Sequence, residues 1–341
     1  MQAAGLRYLT IVAGALLISA CGGGGGSDSA PPVTGPPPPP EPGFVALQSD
    51  PGDAIGAGLD YRYTQADARL LFSTGQRGFQ IFVNGDEEWF GAFELPDTFT
   101  QVEVGVYSNL GRYPFHDPVI GGMTWSGDGR QCDQVTGSFE VTSVTYVNGV
   151  IVDIRMNFEQ YCDGASVPLR GEIHWYFDDQ TYPPPPVNPP PTSLWRPPAG
   201  ATPDAGNYVY LESEVGDYIG AGNTYLYTPD VAEITGSGSN RNFRIFVRGN
   251  ESWNGNIEGM DFFERLEPGY YPDVKRYPFH NYVKGGLEWD GEGRGCFELD
   301  GWFVIDDITY DGATIQSIRL RFEQHCEGAA PALNGEIRWS Q

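Results

Sequence analysis

Residues 112–132 read RYPFHDPVIGGMTWSGDGRQC, and residues 276–296 read RYPFHNYVKGGLEWDGEGRGC. The two stretches keep the RYPFH run, a Gly pair, a tryptophan and a cysteine at one offset, 276 minus 112, or 164 positions. The same offset relates the FEQYC of residues 158–162 to the FEQHC of residues 322–326 without an insertion. The chain is therefore a tandem duplication of one unit, and each copy is long enough to bury its own core.

Short segments rich in β-branched and aromatic residues make up each copy, for example NFRIFVRG at 242–249 and ATIQSIRLRFEQ at 313–324. The tetrapeptides YVNG at 146–149 and YDGA at 310–313 precede strand-like segments and predict hairpin tips. No segment has the apolar spacing of a helix. We therefore predict an all-β fold, with two tandem antiparallel β-sandwich modules of jelly-roll-like form joined by a Pro-rich linker.

The N-terminus carries an export signal. An apolar run of 13 residues, from Tyr8 to Ala20, follows Arg7, which is too short for a membrane-spanning helix and fits a signal peptide. The ISAC that ends the run resembles the lipobox of bacterial lipoproteins, which implies that Cys21 is acylated. Gly22 implies, by the sorting pattern of such lipoproteins, the outer membrane of a Gram-negative bacterium, with the chain facing periplasm or cell surface. The alternative is cleavage nearby, which leaves Cys21 as a free thiol.

Composition sets the predicted domain boundaries. Two tracts rich in Pro or Gly favour polyproline II or coil and bury nothing, so we expect a tether and a semi-rigid spacer. The predicted order is a signal peptide (1–20), a lipidated cysteine with its Gly/Pro-rich tether (21–43), module 1 (44–180), a Pro-rich linker (181–206) and module 2 (207–341).

The charge is strongly negative, with a formal net value of -25. Residues 44–177 hold 18 acidic residues against 7 Arg, and residues 208–341 hold 22 against 11 Lys or Arg, so each copy carries -11. Such a field repels phosphate backbones and anionic lipid headgroups. We expect no nucleic-acid partner, and contact with the outer membrane through the lipid anchor alone.

Two cysteines remain in each copy once Cys21 is set aside. Cys132 and Cys162 lie 30 positions apart, as do Cys296 and Cys326. In an oxidising compartment this equal spacing predicts one disulfide within each module. The alternative is a metal site, but two cysteines without a second pair or a suitably spaced histidine make a poor zinc site.

A family resemblance supports the same architecture. The segments SEVGDYIGAGNTYLYT, RYPFH, GEGRGC and FEQHCEGAAPALNGEIRW resemble a β domain that recurs, singly or repeated, in secreted and surface-attached bacterial proteins. The resemblance covers essentially all of both copies and implies a fold and a surface location, but no catalytic residues. The first copy departs from the pattern at GRQC and FEQYCDG, and neither change affects the cysteines.

Enzyme motifs are poorly matched. The IGAG stretches lack the third Gly and following helix of a dinucleotide site, and neither a phosphate-binding loop nor a Gly-x-Ser-x-Gly elbow is present. We therefore predict no catalytic residue and no cofactor. Carboxylates repeated in both copies would be the candidates for a glycosidase pair: Asp53 and Asp217, Glu159 and Glu323, Glu172 and Glu336.

The SGDGR and DGEGR segments alternate acids with Gly, which is one feature of calcium loops. Asp128 supplies the acid in the first copy, and Asp290 and Glu292 supply it in the second. Neither segment continues to the bidentate Glu of an EF-hand. A tight Gly-rich turn explains the pattern equally well, and we predict no metal site.

The RYPFH stretches leave a choice between scaffold and ligand surface. Aromatic and Gly residues suit the packing of a sandwich, whereas aromatic faces beside Arg and His are typical of sites for sugars or peptide segments. The candidate binding residues are Arg112, His116, Trp125, Arg276, His280 and Trp289.

Three functions follow from these predictions. The first is a non-enzymatic surface lipoprotein that binds an extracellular glycan or protein. The second is a structural spacer of the envelope with no small ligand, and the third is a carbohydrate-active enzyme.

Overall fold

A computed structural model describes residues 41–341, of which residues 42–341 form one compact unit. The predicted signal peptide, Cys21 and most of the tether lie outside the described residues. The first ten strands are β1 (Phe44–Ser49), β2 (Asp60–Thr64), β3 (Arg69–Thr74), β4 (Gly78–Asn84), β5 (Glu88–Glu94), β6 (Gly105–Arg112), β7 (Gly122–Gly127), β8 (Val135–Val147), β9 (Val150–Cys162) and β10 (Pro168–Tyr176). The second ten are β11 (Tyr208–Ser213), β12 (Thr224–Tyr227), β13 (Glu233–Ser239), β14 (Asn242–Arg248), β15 (Ser252–Glu258), β16 (Gly269–Arg276), β17 (Gly286–Gly291), β18 (Leu299–Asp311), β19 (Thr314–Cys326) and β20 (Leu333–Ser340). Between residues 41 and 341 we find no helix that could cross a membrane.

The all-β prediction is confirmed, with one ten-stranded sheet in each copy. The strand order is β2-β1-β10-β9-β8-β6-β7-β5-β4-β3 in the first and β12-β11-β20-β19-β13-β14-β15-β17-β16-β18 in the second, where β18 also pairs with β19. The sheets are not purely antiparallel, because β6 and β7, and likewise β16 and β17, form short parallel pairs. Parallel neighbours need a crossover between them, and the RYPFH stretches lie at the start of these crossovers.

The longest hairpin of the first copy joins β8 to β9 and confirms the predicted tip. Val147 pairs with Val150, and the two residues between them, Asn148 and Gly149, have φ angles of 52° and 80°. Left-handed backbone at both central positions suits the right-handed twist of the strands, which is why Asn-Gly favours this turn.

Each copy has its own hydrophobic core. One cluster of buried side chains comes entirely from the first copy and the other entirely from the second. In the first core the Trp125 ring stacks on Phe158 at 5.0 Å. The Gly of the repeated GEI segment makes room for this stack, since a Cβ at Gly171 would lie 2.0 Å from the Phe158 ring. These repeated residues are therefore required by packing.

The cysteines pair within each copy. Cys132 and Cys162 are joined with their Cα atoms 5.1 Å apart, and Cys296 and Cys326 are joined with the same separation, as a disulfide requires. The FEQ segment that precedes the second cysteine has a separate role.

In the first copy the buried glutamine of the FEQ segment, Gln160, connects β9 to β7. The Gln160 amide accepts a hydrogen bond from the Trp125 backbone N–H (2.7 Å) and donates one to the Trp125 carbonyl (2.9 Å). Gln324 makes the same two bonds with Trp289 in the second copy, at 3.0 and 2.8 Å. These backbone groups are buried, and a buried N–H or C=O without a hydrogen bond costs free energy. The glutamine amide supplies the missing partner in each copy.

The Pro-rich segment between the copies differs from the expected spacer that buries nothing. Val187 exchanges two backbone hydrogen bonds with Tyr270, both 2.9 Å long. The Trp195 carbonyl accepts a hydrogen bond (2.7 Å) from the fully buried guanidinium of Arg321, which also forms two bonds with Asp306 at 2.7 and 3.0 Å. The segment lies along the second copy, and it helps to satisfy a buried charge there.

Candidate functional site

The two RYPFH loops, residues 112–116 and 276–280, share a backbone hydrogen bond from the tyrosine N–H to the following strand, Tyr113 to Met123 and Tyr277 to Leu287. In the first, the Tyr113 N–H donates to the Met123 carbonyl (3.0 Å) and the Phe115 N–H donates to the Arg112 carbonyl (2.8 Å). The Tyr–Pro peptide bond is cis in both loops. This tight turn, placed between two parallel strands, directs its phenylalanine away from the core.

Each RYPFH loop presents a phenylalanine to solvent. Phe115 is 80% exposed and Phe279 is 78% exposed. The guanidinium carbon of Arg112 lies 5.5 Å from the centre of the Phe115 ring, and that of Arg276 lies 5.6 Å from the centre of the Phe279 ring. Single exposed apolar residues are common, but the same exposed ring beside the same cation in both copies is a recurring local arrangement.

Each of the two arginines donates a hydrogen bond to a backbone carbonyl of its own copy. Arg112 Nη1 donates to the Asp133 carbonyl (3.2 Å), and Arg276 Nη1 donates to the Phe297 carbonyl (3.4 Å). Arg276 Nε also donates to the Glu288 carboxylate at 3.1 Å. Burial raises the pKa of Glu288, and the bond from Arg276 opposes that shift. The second loop therefore has the more firmly held guanidinium.

The histidines lie beneath the loops rather than on the surface. The His116 ring stacks on Tyr113 at 5.8 Å, and its Nε2 is 3.8 Å from a Glu94 carboxylate oxygen. A Cβ at Gly122 would lie 2.3 Å from this ring, and one at Gly286 would lie 2.6 Å from the His280 ring. The second Gly of each pair therefore makes room for the imidazole.

The two tryptophans among the candidate binding residues lie deeper still. Trp125 and Trp289 are both fully buried in the cores, with their indole nitrogens unbonded. Their position favours the scaffold interpretation. Of the candidate residues, Arg112 and Arg276 are the pair that lies beside the same exposed phenylalanine in both copies.

A polar pocket, which we call the Arg–Glu pocket, occurs at the β3–β4 hairpin and again at the β13–β14 hairpin. In the first copy it measures about 360 Å³ and includes Arg77, Glu94 and Tyr113 in its lining. In the second it measures about 520 Å³ and includes Arg241 and Glu258. Arg77 Nη2 lies 2.8 Å from Glu94, and Arg241 Nε lies 3.9 Å from Glu258. In both copies an ion pair therefore lines the pocket.

Sequence reasoning did not select the exposed phenylalanines or this ion pair. The available signal was identity at the 164-residue offset, which relates Arg77 to Arg241 and Glu94 to Glu258. That identity alone does not separate a surface role from a packing role.

The repeated carboxylates considered for catalysis have structural partners. Asp53 is buried and accepts hydrogen bonds from Ser49 Oγ (2.8 Å) and the Gly56 N–H (2.7 Å), and Asp217 accepts the matching pair in the second copy. Glu159 accepts from Tyr161 and Arg170. These bonds stabilise turns and strand neighbours.

The remaining repeated acids differ between the copies. Glu323 accepts a hydrogen bond from Trp302 Nε1 at 2.9 Å. Glu336 is buried and bonded to Tyr208, whereas Glu172 is exposed. Because Glu172 and Glu336 occupy such different surroundings, they do not form a repeated pair with one chemical role.

The acidic Gly-rich segments form tight turns. Asp128 and Gly129 have φ angles of 50° and 71°, and Glu292 and Gly293 have φ angles of 52° and 73°. Glu292 accepts a hydrogen bond from the Ser252 N–H at 2.7 Å. Within residues 41–341 no group of three or more His, Cys, Asp or Glu side chains is placed to hold a metal ion.

Comparison of the chain with models of protein families, with curated proteins and with solved structures finds no match.

His280 predicts a pH dependence of stability. Burial, and after it the charge of Arg241, lowers the pKa of His280 to about 4, and both ring nitrogens are unbonded beside Tyr277 and Tyr282. An unfolded histidine titrates near 6.5, so between about pH 6.5 and pH 4 only the unfolded chain takes up this proton. The free energy of unfolding should therefore fall as the pH falls through that window.

The measurement is urea unfolding at pH 7 and pH 4.5 for the wild-type chain and His280→Gln. We expect the wild-type chain to lose roughly 2 kcal/mol more than the variant between the two pH values. An equal loss in both proteins would show that His280 does not titrate in this way.

Proposed function

We propose that the protein is a non-enzymatic binding lipoprotein of the outer membrane, with two duplicated β modules that bind an extracellular glycan or protein. The observation that carries this proposal is the exposed phenylalanine with its neighbouring arginine, Phe115 with Arg112 and Phe279 with Arg276, which recurs in both copies. An exposed aromatic ring loses solvent contact when a ligand covers it, and aromatic and Arg side chains dominate the energetics of many interfaces.

A glycan is the ligand class that the site fits best. In the first copy the Arg–Glu pocket contributes a guanidinium, a carboxylate and Tyr113, which belongs to the same RYPFH loop as Phe115, so donors and acceptors lie close together. Neutral, hydroxyl-rich molecules use both kinds of partner, and their apolar faces stack on aromatic rings. The net charge of -25 also favours a neutral ligand over an anionic one.

The anchor and the architecture complete the proposal. Acylation at Cys21 would hold the chain at the outer membrane, and the Gly/Pro-rich tether would carry the modules away from the lipid. Each ten-stranded sheet would fold over into a sandwich-like module, an arrangement supported by the stacking of Phe72 on β3 against Trp175 on β10 at 4.2 Å. In the strand order of the first sheet, these two strands are far apart.

The spacer function is the second candidate. It is favoured by the Pro-rich segment, whose backbone pairing with Tyr270 and bond to Arg321 would stiffen the connection between the modules. A spacer needs no ligand, which is the feature that separates the two proposals.

The experiment uses the secreted Cys21→Ser chain as a probe on an array of immobilised glycans and as bait for extracellular and envelope material. We expect saturable retention of one glycan class, or of one discrete protein. Absence of retention in both assays would contradict the binding function and leave the spacer function.

A further inference from the structure

The first copy contacts two segments of the second copy, the loop of residues 281–284 and Asp261. Asn281 Nδ2 donates to the Asp67 carbonyl (2.8 Å) and to the Asp86 carboxylate (3.1 Å). Lys284 Nζ pairs with the other oxygen of Asp86 at 2.6 Å. We call residues 281–284 the plug, and Asp67, Arg69 and Asp86 of the first copy the socket.

An arginine of the socket completes the contact. Arg69 Nε pairs with Asp261 Oδ2 at 2.5 Å, and the Arg69 guanidinium lies 5.2 Å from the centre of the Tyr282 ring. Every charged group named in this contact therefore faces an opposite charge, a hydrogen-bond partner or an aromatic ring. Such complementarity orients two surfaces and selects a partner.

The duplication leaves a second plug and a second socket exposed. Val283 in the plug is 5% exposed, whereas its equivalent in the first copy, Val119, is 64% exposed. Val231, Glu233 and Asn250 of the second copy, which correspond to the three socket residues, are also exposed. Because the contact joins two unlike surfaces, each chain keeps one unused plug equivalent and one unused socket equivalent. The same contact between molecules would therefore produce open chains or rings.

The charges at the unused surfaces do not match. The equivalents of Arg69 and Asp261 are Glu233 and Asp97, so docking of a second molecule would bring two carboxylates together. The equivalents of Lys284 and Asp86 are Ile120 and Asn250, so the second ion pair is also lost. Juxtaposed like charges strongly disfavour an interface and are a common device against wrong partners.

We propose that the plug and socket form a directional docking contact that fixes the second copy against the first, and that Glu233 facing Asp97 prevents this contact from propagating between molecules. The wild-type chain then contains two docked copies and does not associate with further molecules through this contact. The first-copy loop stays uncovered, which leaves Phe115 accessible.

Docking within the chain is tested by small-angle X-ray scattering of the full Cys21→Ser chain, with circular dichroism to check folding. Arg69→Glu should increase the radius of gyration, and adding Asp261→Arg should restore the wild-type value. An unchanged radius of gyration in Arg69→Glu would overturn the docking contact.

The repulsion between Glu233 and Asp97 that blocks propagation, which we call the charge stop, is tested by sedimentation velocity of the same chain over a range of concentrations. The wild type should stay monomeric, and the variant with Glu233→Arg, Asn250→Asp, Ile120→Lys and Asp117→Asn, the equivalent of Asn281, should associate about tenfold or more strongly. Adding Asp97→Arg to that variant is the matched control and should abolish the gain. A rebuilt variant that stays monomeric, or a wild type that forms chains, would contradict the charge stop.

Discussion

Removal of the Cys132–Cys162 disulfide is expected to lower the stability of the first copy by about 3 to 4 kcal/mol. The bond closes a loop with a sequence separation of 30, and in the chain-entropy model its loss restores that much conformational freedom to the unfolded state. Because the two cores share no side chains, the change should leave the second copy unaffected. Urea unfolding of the chain with both cysteines replaced by alanine should show one shifted transition and one unshifted transition.

The matched control replaces Cys296 and Cys326, which are joined with the same separation of 30. It should shift the other transition by a similar amount. If either double variant shifted both transitions together, the two copies would unfold as one unit, which would contradict separate stabilities for the two cores. Peptide mapping without reduction would confirm the pairing in the wild-type protein.

Replacement of Cys21 by serine is expected to move the protein from the membrane fraction to the soluble fraction. Each buried CH₂ of an acyl chain contributes about 0.8 kcal/mol to membrane binding, and stable anchoring requires more than one chain, as a lipoprotein has. No other attraction to an anionic membrane is expected of a chain with a net charge of -25. The effect should therefore be close to complete.

The measurement is fractionation together with mass spectrometry of the mature N-terminus. A wild-type N-terminus that lacks an acyl mass, in protein that fractionates like the serine variant, would show that the chain is simply secreted. A matched control with Ser27→Ala, in the tether, should keep the wild-type distribution.

The strand content and the disulfides could be predicted because local sequence determines them. Asn148 and Gly149 favour one turn type whatever surrounds them, and the equal spacing of the cysteine pairs follows directly from the duplication. Alternation of apolar and polar residues likewise identifies strands without knowledge of their neighbours.

The site depends on tertiary contacts that the sequence does not show. Phe115 and Trp125 lie ten residues apart in the same repeated stretch, yet one is exposed and the other buried, because the parallel pairing of β6 with β7 directs the intervening loop outward. Val119 and Val283 occupy equivalent positions but differ in exposure, and Asn281 and Lys284 on either side of Val283 contact the first copy. Identity between the copies predicts a shared fold at such positions, but not a shared environment.

The most direct test of the central claim is the affinity of the Phe115→Ala/Phe279→Ala chain for the glycan or protein that the wild-type chain retains. Both rings are largely exposed, so the fold should be unaffected, and binding should weaken about tenfold or more if the RYPFH loops form the binding surface. Phe177→Ala is the matched control, since Phe177 is also 78% exposed but does not recur in the second copy. Unchanged affinity in the double variant, or an equal loss in the control, would contradict a binding function at these loops.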